Sequence, residues 1–376
     1  MTKNAGAILW PDYDKSILGI PNALLRHYSA EAVYPSLPAL DALLAKGYRN
    51  VVLMVFDGMG CDMLRQNLPE DAFLRRRTAA DILSVYPCTT TAAVTCFETG
   101  LPPIAHGWLG WSCYFKELGQ CVDLYTNQSA SNTPAADYDV ARTYMPYTTI
   151  SEKIAEASPD VSVYRVSLFS QTHHAATPAE VCAQTRAICQ SPGRHFVNAY
   201  CNQPDYTMHE HGCYAENVRQ LARHINDEVE RLCNTLADTL VIVTADHGLT
   251  GTRDMFIEDF PALYDCLQMR PSIESRCLSF FIKDGMADVF AARFDEQFGA
   301  DFILMTKAET LAKHIFGHGT PHPKALDFIG DFIAVATGDI RLAHRGSSFP
   351  FKAMHAGLRA AEMEVPLILI EKEWPV

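Results

Sequence analysis

The stretch NVVLMVF, Asn50–Phe56, carries six apolar residues in succession after its asparagine, with no alternation of polar and apolar positions. A strand with one wet face alternates. An uninterrupted run bounded by turn residues, here KGYR before and DGMG after, is what a strand buried on both faces requires. Similar runs occur at Val161–Phe169, His195–Cys201, Thr239–Ala245 and Val365–Ile370. Ahead of the run at Thr239, Val218, Leu221, Ile225, Val229, Leu232 and Leu236 step by three and four, which is one face of an amphipathic helix. Strands of this kind alternating with helices predict an α/β fold with a mostly parallel central sheet sandwiched by helices.

A chain of 376 residues fits one such domain over residues 1–376, with a smaller lid or cap inserted within about 256–345. In that region TKAETLAKHIFG opens with a capping box at Thr306 and Glu309, and GDFIAVATGD reads as a strand. The formal charge of -13 argues against nonspecific binding to nucleic acid or an anionic membrane, since both reward clustered cations. The short basic run Arg75–Arg77 reads as a solvated helix face. The opening MTKNAGAILWPDYDKS lacks the apolar core of a signal peptide and no later run reaches membrane-spanning length, so a cytoplasmic enzyme is expected. Twelve cysteines are scattered without a CxxC pair, which suits reduced, buried thiols better than zinc ligands.

Ligands of open α/β sheets bind beyond the carboxyl ends of the strands, so residues just past those ends converge. Here they are chemically alike. Asp57 follows the first run, Asp205 and His209 follow the third in PDYTMHEHG, Asp246 and His247 follow the fourth in TADHG, and His355 precedes the last. Alone, each reads as a turn, cap or loop residue. Together they form a rim of three aspartates and three histidines. Asp205 and His209 are four apart, so a helix opening there presents both on one face to one ion, whereas His211 points elsewhere. Six such groups suit two zinc-like ions with three protein ligands each, and the absence of thiolates favours a catalytic dinuclear site.

The remaining motif is YPCTTTAAVTCFETGLPPIAHGW, Tyr86–Trp108. It reads as a strand, a tight turn and a helix that ends at Gly100 and has threonine at its start. Threonine there is first of all an N-cap. Beside two metals, a helix N-terminus also suits a phosphate anion, and a threonine hydroxyl relieved of its proton becomes a nucleophile.

In chain order, VFDGMG, YPCTTTAAVTCFETGLPPIAHG, PDYTMHEHG, TADHG and HAG resemble the successive motifs of the alkaline phosphatase superfamily, within it the nucleotide pyrophosphatase/phosphodiesterase branch. The resemblance spans Asp57 to His355. It implies an alkaline phosphatase-like fold in which Asp205, His209 and His355 hold one zinc and Asp57, Asp246 and His247 the other. It selects Thr90, over Thr89 and Thr91, as the nucleophile that bridges towards the second ion. It implies a phosphodiesterase or nucleotide pyrophosphatase acting on a small phosphate ester through a phosphothreonine, with manganese or iron as substitutes for zinc.

The chain departs from this family where an asparagine binds the phosphoryl oxygen, since Trp111 stands in that place. Aromatic residues from Trp108 to Tyr144 suit a substrate pocket or simple packing. Arg142, Arg165 and Arg253 are the cations expected as candidates for a third phosphoryl oxygen. Other readings on the same core are a phosphomonoesterase, a phosphonate hydrolase, a metal-dependent phosphomutase, and a noncatalytic metal-binding protein. A sulfatase is disfavoured, because CTTTA at Cys88 lacks the proline and arginine of the modifiable sulfatase pattern.

Overall fold

The computed structural model describes residues 6–345 and 350–373. The fold is α/β, with a mixed, mostly parallel central sheet flanked by helices. Its strands are β1 (Asn50–Phe56), β2 (Thr78–Leu83), β6 (Val161–Val166), β7 (Arg194–Cys201), β8 (Thr239–Thr244) and β17 (Glu364–Lys372), in the order β2-β17-β8-β1-β7-β6. Every residue of β1 and β8 is buried, as the unbroken apolar runs demand. β1 pairs in parallel with β7 and β8, and β6 with β7, whereas β17 runs antiparallel to β8 and β2. That reversal has a geometric result. The segment entering β17, not the one leaving it, lies at the rim where β1, β7 and β8 end, and it carries His355.

A second sheet of seven strands combines β3 (Ser112–Phe115), β4 (Gln120–Asp123), β5 (Gln128–Ser129), β11 (Ser272–Ile273), β12 (Cys277–Phe280), β13 (Phe302–Thr306) and β14 (Phe332–Ala336). Two ribbons complete the structure, β9 (Thr250–Gly251) with β16 (Ala353–Met354) and β10 (Arg253–Phe256) with β15 (Ile340–Ala343). The second sheet draws residues from both sides of the central-sheet strands in sequence. The capping box at Thr306 and Glu309 is formed, and the expected strand in GDFIAVATGD is β14.

Helix Glu216–Cys233 buries Val218, Ile225, Val229 and Leu232, the face expected from the sequence. Fully burying each such side chain contributes about 1.5–3 kcal/mol, which is why this face decides how the helix docks. The strand expected just before the TTT motif lies earlier, as β2; residues 84–88 are irregular. The run at Val161 stops at Val166, after which Ser167 turns to bond with His173 and Ala175. All twelve cysteines are buried and free. Among the described residues, no helix is long and apolar enough to cross a membrane.

Candidate active site and metal centre

Asp57 leaves β1 and its backbone is tied in two directions: its N–H donates to the Cys201 carbonyl at 2.9 Å, and its carbonyl accepts from the Asp205 N–H at 2.9 Å. The ends of β1 and β7 are thus fastened together. Gly58 permits this approach. Its φ is 74°, and a Cβ there would lie 2.9 Å from the Asp205 Cα.

Asp205 begins the helix Asp205–His211, and His209 returns over it one turn later with Nε2 3.2 Å from Asp205 Oδ1. The Ala353 carbonyl accepts from His209 Nδ1 at 2.7 Å, which frees Nε2 for the site. His355 completes this triad, and its ring centroid lies 5.2 Å from that of His209. His211 points away, half-exposed beside Glu210.

Asp246 and His247 leave β8 together. Asp246 Oδ1 accepts from the N–H groups of Gly58 and His247, at 3.0 and 2.9 Å. His247 Nε2 lies 3.4 Å from Asp57 Oδ1 and 3.5 Å from Asp246 Oδ2. The ligand atoms of Asp57, Asp246 and His247 lie within 4.8 Å of one another, as do those of Asp205, His209 and His355. The two triads adjoin, since the His247 and His355 rings are 4.0 Å apart.

These groups suit divalent cations on internal evidence. Among the described residues, Asp57 Oδ1, Asp246 Oδ2 and His355 Nδ1 are buried without a hydrogen-bond partner. Such orphans are costly unless something else binds them. Burial, followed by the charges of Asp246 and Asp205, pushes the Asp57 carboxyl well above its ordinary range. Burial also raises Asp246. Burial, followed by His247 and His209, keeps His355 neutral, the form in which imidazole ligates metals. Carboxylates that repel one another beside the neutral His355 imidazole call for positive charge.

Thr90 is the first residue of the helix Thr90–Thr99, capped by Gly100 in the left-handed region. Its hydroxyl lies 3.4 Å from Asp57 Oδ2 and 3.2 Å from His247 Nε2. Thr89 occupies the N-cap position, yet its side chain makes no capping bond and donates to Glu274 instead. The helix N-terminus is therefore left to another acceptor. Thr91 is buried and its hydroxyl has no partner.

Thr90 lines a cavity of about 610 Å³ with Asp205, His209 and His355. Trp111, Ile273, Leu278, Leu342, Phe351 and Met354 give it apolar walls. A profile of the family described as "Type I phosphodiesterase / nucleotide pyrophosphatase" matches residues 51–348, most of the chain and nearly all of this site. The chain belongs to the type I phosphodiesterase/nucleotide pyrophosphatase family. That membership supports a phosphoester hydrolase. No curated protein sequence matches the chain.

The fold is shared with solved structures. Murine ectonucleotide pyrophosphatase/phosphodiesterase 5 is 17% identical with a TM-score of 0.62, over 86% of this chain and 88% of that one. An inactive threonine-to-alanine variant of that murine protein, in complex with AMP, is 17% identical with a TM-score of 0.61, over 84% and 87%. Phosphonoacetate hydrolase from Sinorhizobium meliloti 1021, in complex with phosphonoformate, is 16% identical with a TM-score of 0.62, over 86% and 90%.

The three arginines that the sequence left as unplaced candidates lie elsewhere. Arg165 pairs with Glu98 at 3.1 Å, Arg142 lies over the rings of Tyr147 and Trp108, and Arg253 pairs with Asp339 at 2.9 Å. Arg270 and Arg341 line the cavity in their stead. Charge alone could not reveal this, because the partners come from remote segments. Of the aromatic residues, Trp108 is core and Trp111 faces the cavity. Sequence reasoning also missed Tyr200, whose hydroxyl donates to Asp57 Oδ2, and Glu274. The signal for Tyr200 was a hydroxyl near the carboxyl end of the apolar run next to β1, where it pairs in register with Val55. Glu274 gave no such signal.

Proposed function

We propose that this chain is a two-metal phosphoric ester hydrolase, acting on phosphodiesters or nucleotide pyrophosphates through a phosphothreonine at Thr90. The observation that carries this reading is the position of the Thr90 hydroxyl: at a helix N-terminus without a side-chain cap, within 3.4 Å of Asp57 and 3.2 Å of His247, on the wall of the cavity. Asp57, Asp246 and His247 would hold one divalent ion, and Asp205, His209 and His355 the other, with zinc first and manganese or iron as alternatives. When bound, such ions supply Lewis-acid charge for the attacking and leaving oxygens. Thr90 Oγ1 gives up its proton and forms the bond to phosphorus as the leaving alkoxide, or phosphate from a pyrophosphate, departs and takes up a proton; water then cleaves the phosphothreonine and returns a proton to Thr90. First-turn N–H groups of the helix would bind a phosphoryl oxygen. The apolar walls suit the second organic group of a diester. An inactive threonine-to-alanine variant of the murine relative accords with this assignment.

The whole chain would act as one catalytic domain with a lid or cap within about residues 256–345, handling small phosphate esters in the cytoplasm; twelve free, buried thiols accord with a reducing compartment. Two in-line displacements give net retention at phosphorus, so hydrolysis of a chiral phosphorothioate diester tests the mechanism, and inversion rules it out. The equal likeness to a phosphonate hydrolase makes C–P cleavage the second reading, favoured if phosphate is released from phosphonoacetate faster than from any ester.

A further inference from the structure

The turn between β11 and β12 carries Glu274, Ser275 and Arg276, and it is fixed at both ends. Arg276 is fully buried and pairs with both carboxylate oxygens of the fully buried Glu362, at 2.8 and 2.7 Å. It also donates to the carbonyls of Ile340 at 2.8 Å and Gly338 at 3.0 Å. Glu362 Oε1 accepts in addition from the Gly357 N–H at 2.8 Å, two residues past His355. The turn is thereby clamped to the loop that brings His355 to the site. On its other side Ile273 has φ 79°, a conformation that a β-branched residue adopts only where packing imposes it. Ile273 packs against Gly110, where an added Cβ would lie 2.6 Å from Ile273 Cγ2.

What this construction delivers is the Glu274 carboxyl group. Its Oε1 accepts from the Thr89 hydroxyl at 2.6 Å and from the Trp111 N–H at 2.7 Å. Thr89 precedes Thr90, and Trp111 stands where the resemblance placed a phosphoryl-binding asparagine. Glu274 lines the same cavity as Thr90, and Oε2 makes no hydrogen bond among the described residues. Both donors to the carboxyl group are neutral, and burial raises it to about 7, so the group is fully a carboxylate only in solution more alkaline than that, the condition under which the repulsion is to be measured.

We propose that Glu274 is a selectivity residue: Oε1 holds the Thr89–Trp111 edge beside Thr90, and Oε2 turns a carboxylate towards the phosphoryl group, disfavouring a dianionic monoester against a monoanionic diester. This rests on the phosphoester hydrolase reading above. A monoester brings one more negative charge towards this group, in a partly dry cavity where repulsion is less screened than in water. A glutamine at the same place keeps the oxygen for Thr89 and Trp111 and offers an N–H₂ donor to the phosphoryl group.

The test uses the metal-replete full chain and the variants Glu274→Gln and Glu274→Ala. Turnover of bis-p-nitrophenyl phosphate and p-nitrophenyl phosphate is measured, together with calorimetric binding of inorganic phosphate and thermal melting. For Glu274→Gln, the diester-to-monoester ratio of kcat/KM should fall at least about tenfold through a lower KM for the monoester, and inorganic phosphate should bind at least about tenfold tighter. For Glu274→Ala, kcat on the diester should fall at least about tenfold with little change in KM, and glutamine should rescue it. An unchanged diester-to-monoester ratio and unchanged phosphate affinity in a folded Glu274→Gln protein would overturn the proposal while leaving the hydrolase reading intact. Absence of phosphoester turnover by the unsubstituted chain would overturn the hydrolase reading instead, and phosphate calorimetry would still decide the role of Glu274.

Discussion

Tyr200 donates its hydroxyl proton to Oδ2 of Asp57, while Oδ1 of the same carboxylate has no hydrogen bond. One oxygen is thus held by the protein, and the other is the one the proposed cation would take. Tyr200→Phe should keep the fold and weaken metal binding by about 10–100-fold, the usual effect of losing a group that orients a ligand. Competition with a chelator of known affinity measures this, and unchanged affinity would reduce Tyr200 to packing.

Chelation should abolish hydrolysis and added zinc should restore it, because both triads consist of carboxylates and imidazoles. His355→Ala should lower the metal content by about one ion per chain in elemental analysis. Full occupancy in that variant would take His355 out of the metal site.

Three neighbouring threonines separate chemistry from scaffolding. Thr90→Ala should fold and bind metal as the unsubstituted chain does, yet lose at least about a thousandfold in kcat, if Thr90 is the nucleophile proposed above. Thr89→Ala gives up only the bond to Glu274, and Thr91→Ala only a buried hydroxyl without a partner, so both should be milder. An active Thr90→Ala beside a dead Thr91→Ala would move the nucleophile by one residue.

Diesters should be the better substrates. The cavity offers apolar walls for a second organic group; of the two arginines in its lining, Arg341 pairs with Asp254 at 3.1 Å, and Arg270 is the cation on which a monoester would draw. The value of kcat/KM for bis-p-nitrophenyl phosphate should exceed that for p-nitrophenyl phosphate by at least about tenfold, or ~1.4 kcal/mol. Equal or reversed rates would place the enzyme on the monoesterase side.

Arg276 and Glu362 test the frame of the site. Arg276→Met should destabilise the protein by about 3–5 kcal/mol, because it strands a carboxylate in the interior. Adding Glu362→Gln removes that charge while keeping an acceptor for Gly357, and should recover most of the loss in thermal melting. No recovery would mean that Arg276 acts mainly through the carbonyls of Gly338 and Ile340.

The central sheet was legible because strands buried on both faces must be apolar throughout, which marked β1 and β8 to within a residue. The direction of β17 was not, since VPLILI reads the same whichever way the strand runs. The six proposed metal ligands were legible by chemistry: acids and imidazoles recur wherever a strand ends. The second sheet escaped because it depends on pairings such as Ile273 with Ser112, between segments far apart in the chain. Glu274 escaped for the same reason. In sequence it is one polar residue in a turn, and its character arises only where Thr89 and Trp111 meet it.

The strand order β2-β17-β8 also sets a timetable for synthesis. Once Thr244 and the loop behind it clear the ribosome, β1, β7 and β8 can pair, and Asp57, Asp246 and His247 are all present. His355 follows 108 residues after His247, an interval of about 5–20 s at ordinary elongation rates. Through that interval β2 and β8 expose the edges that β17 will fill, the kind of open template that invites other chains. The nascent protein therefore has only one of its two candidate triads complete while these edges are open, and the segment from His355 through β17 ends both conditions.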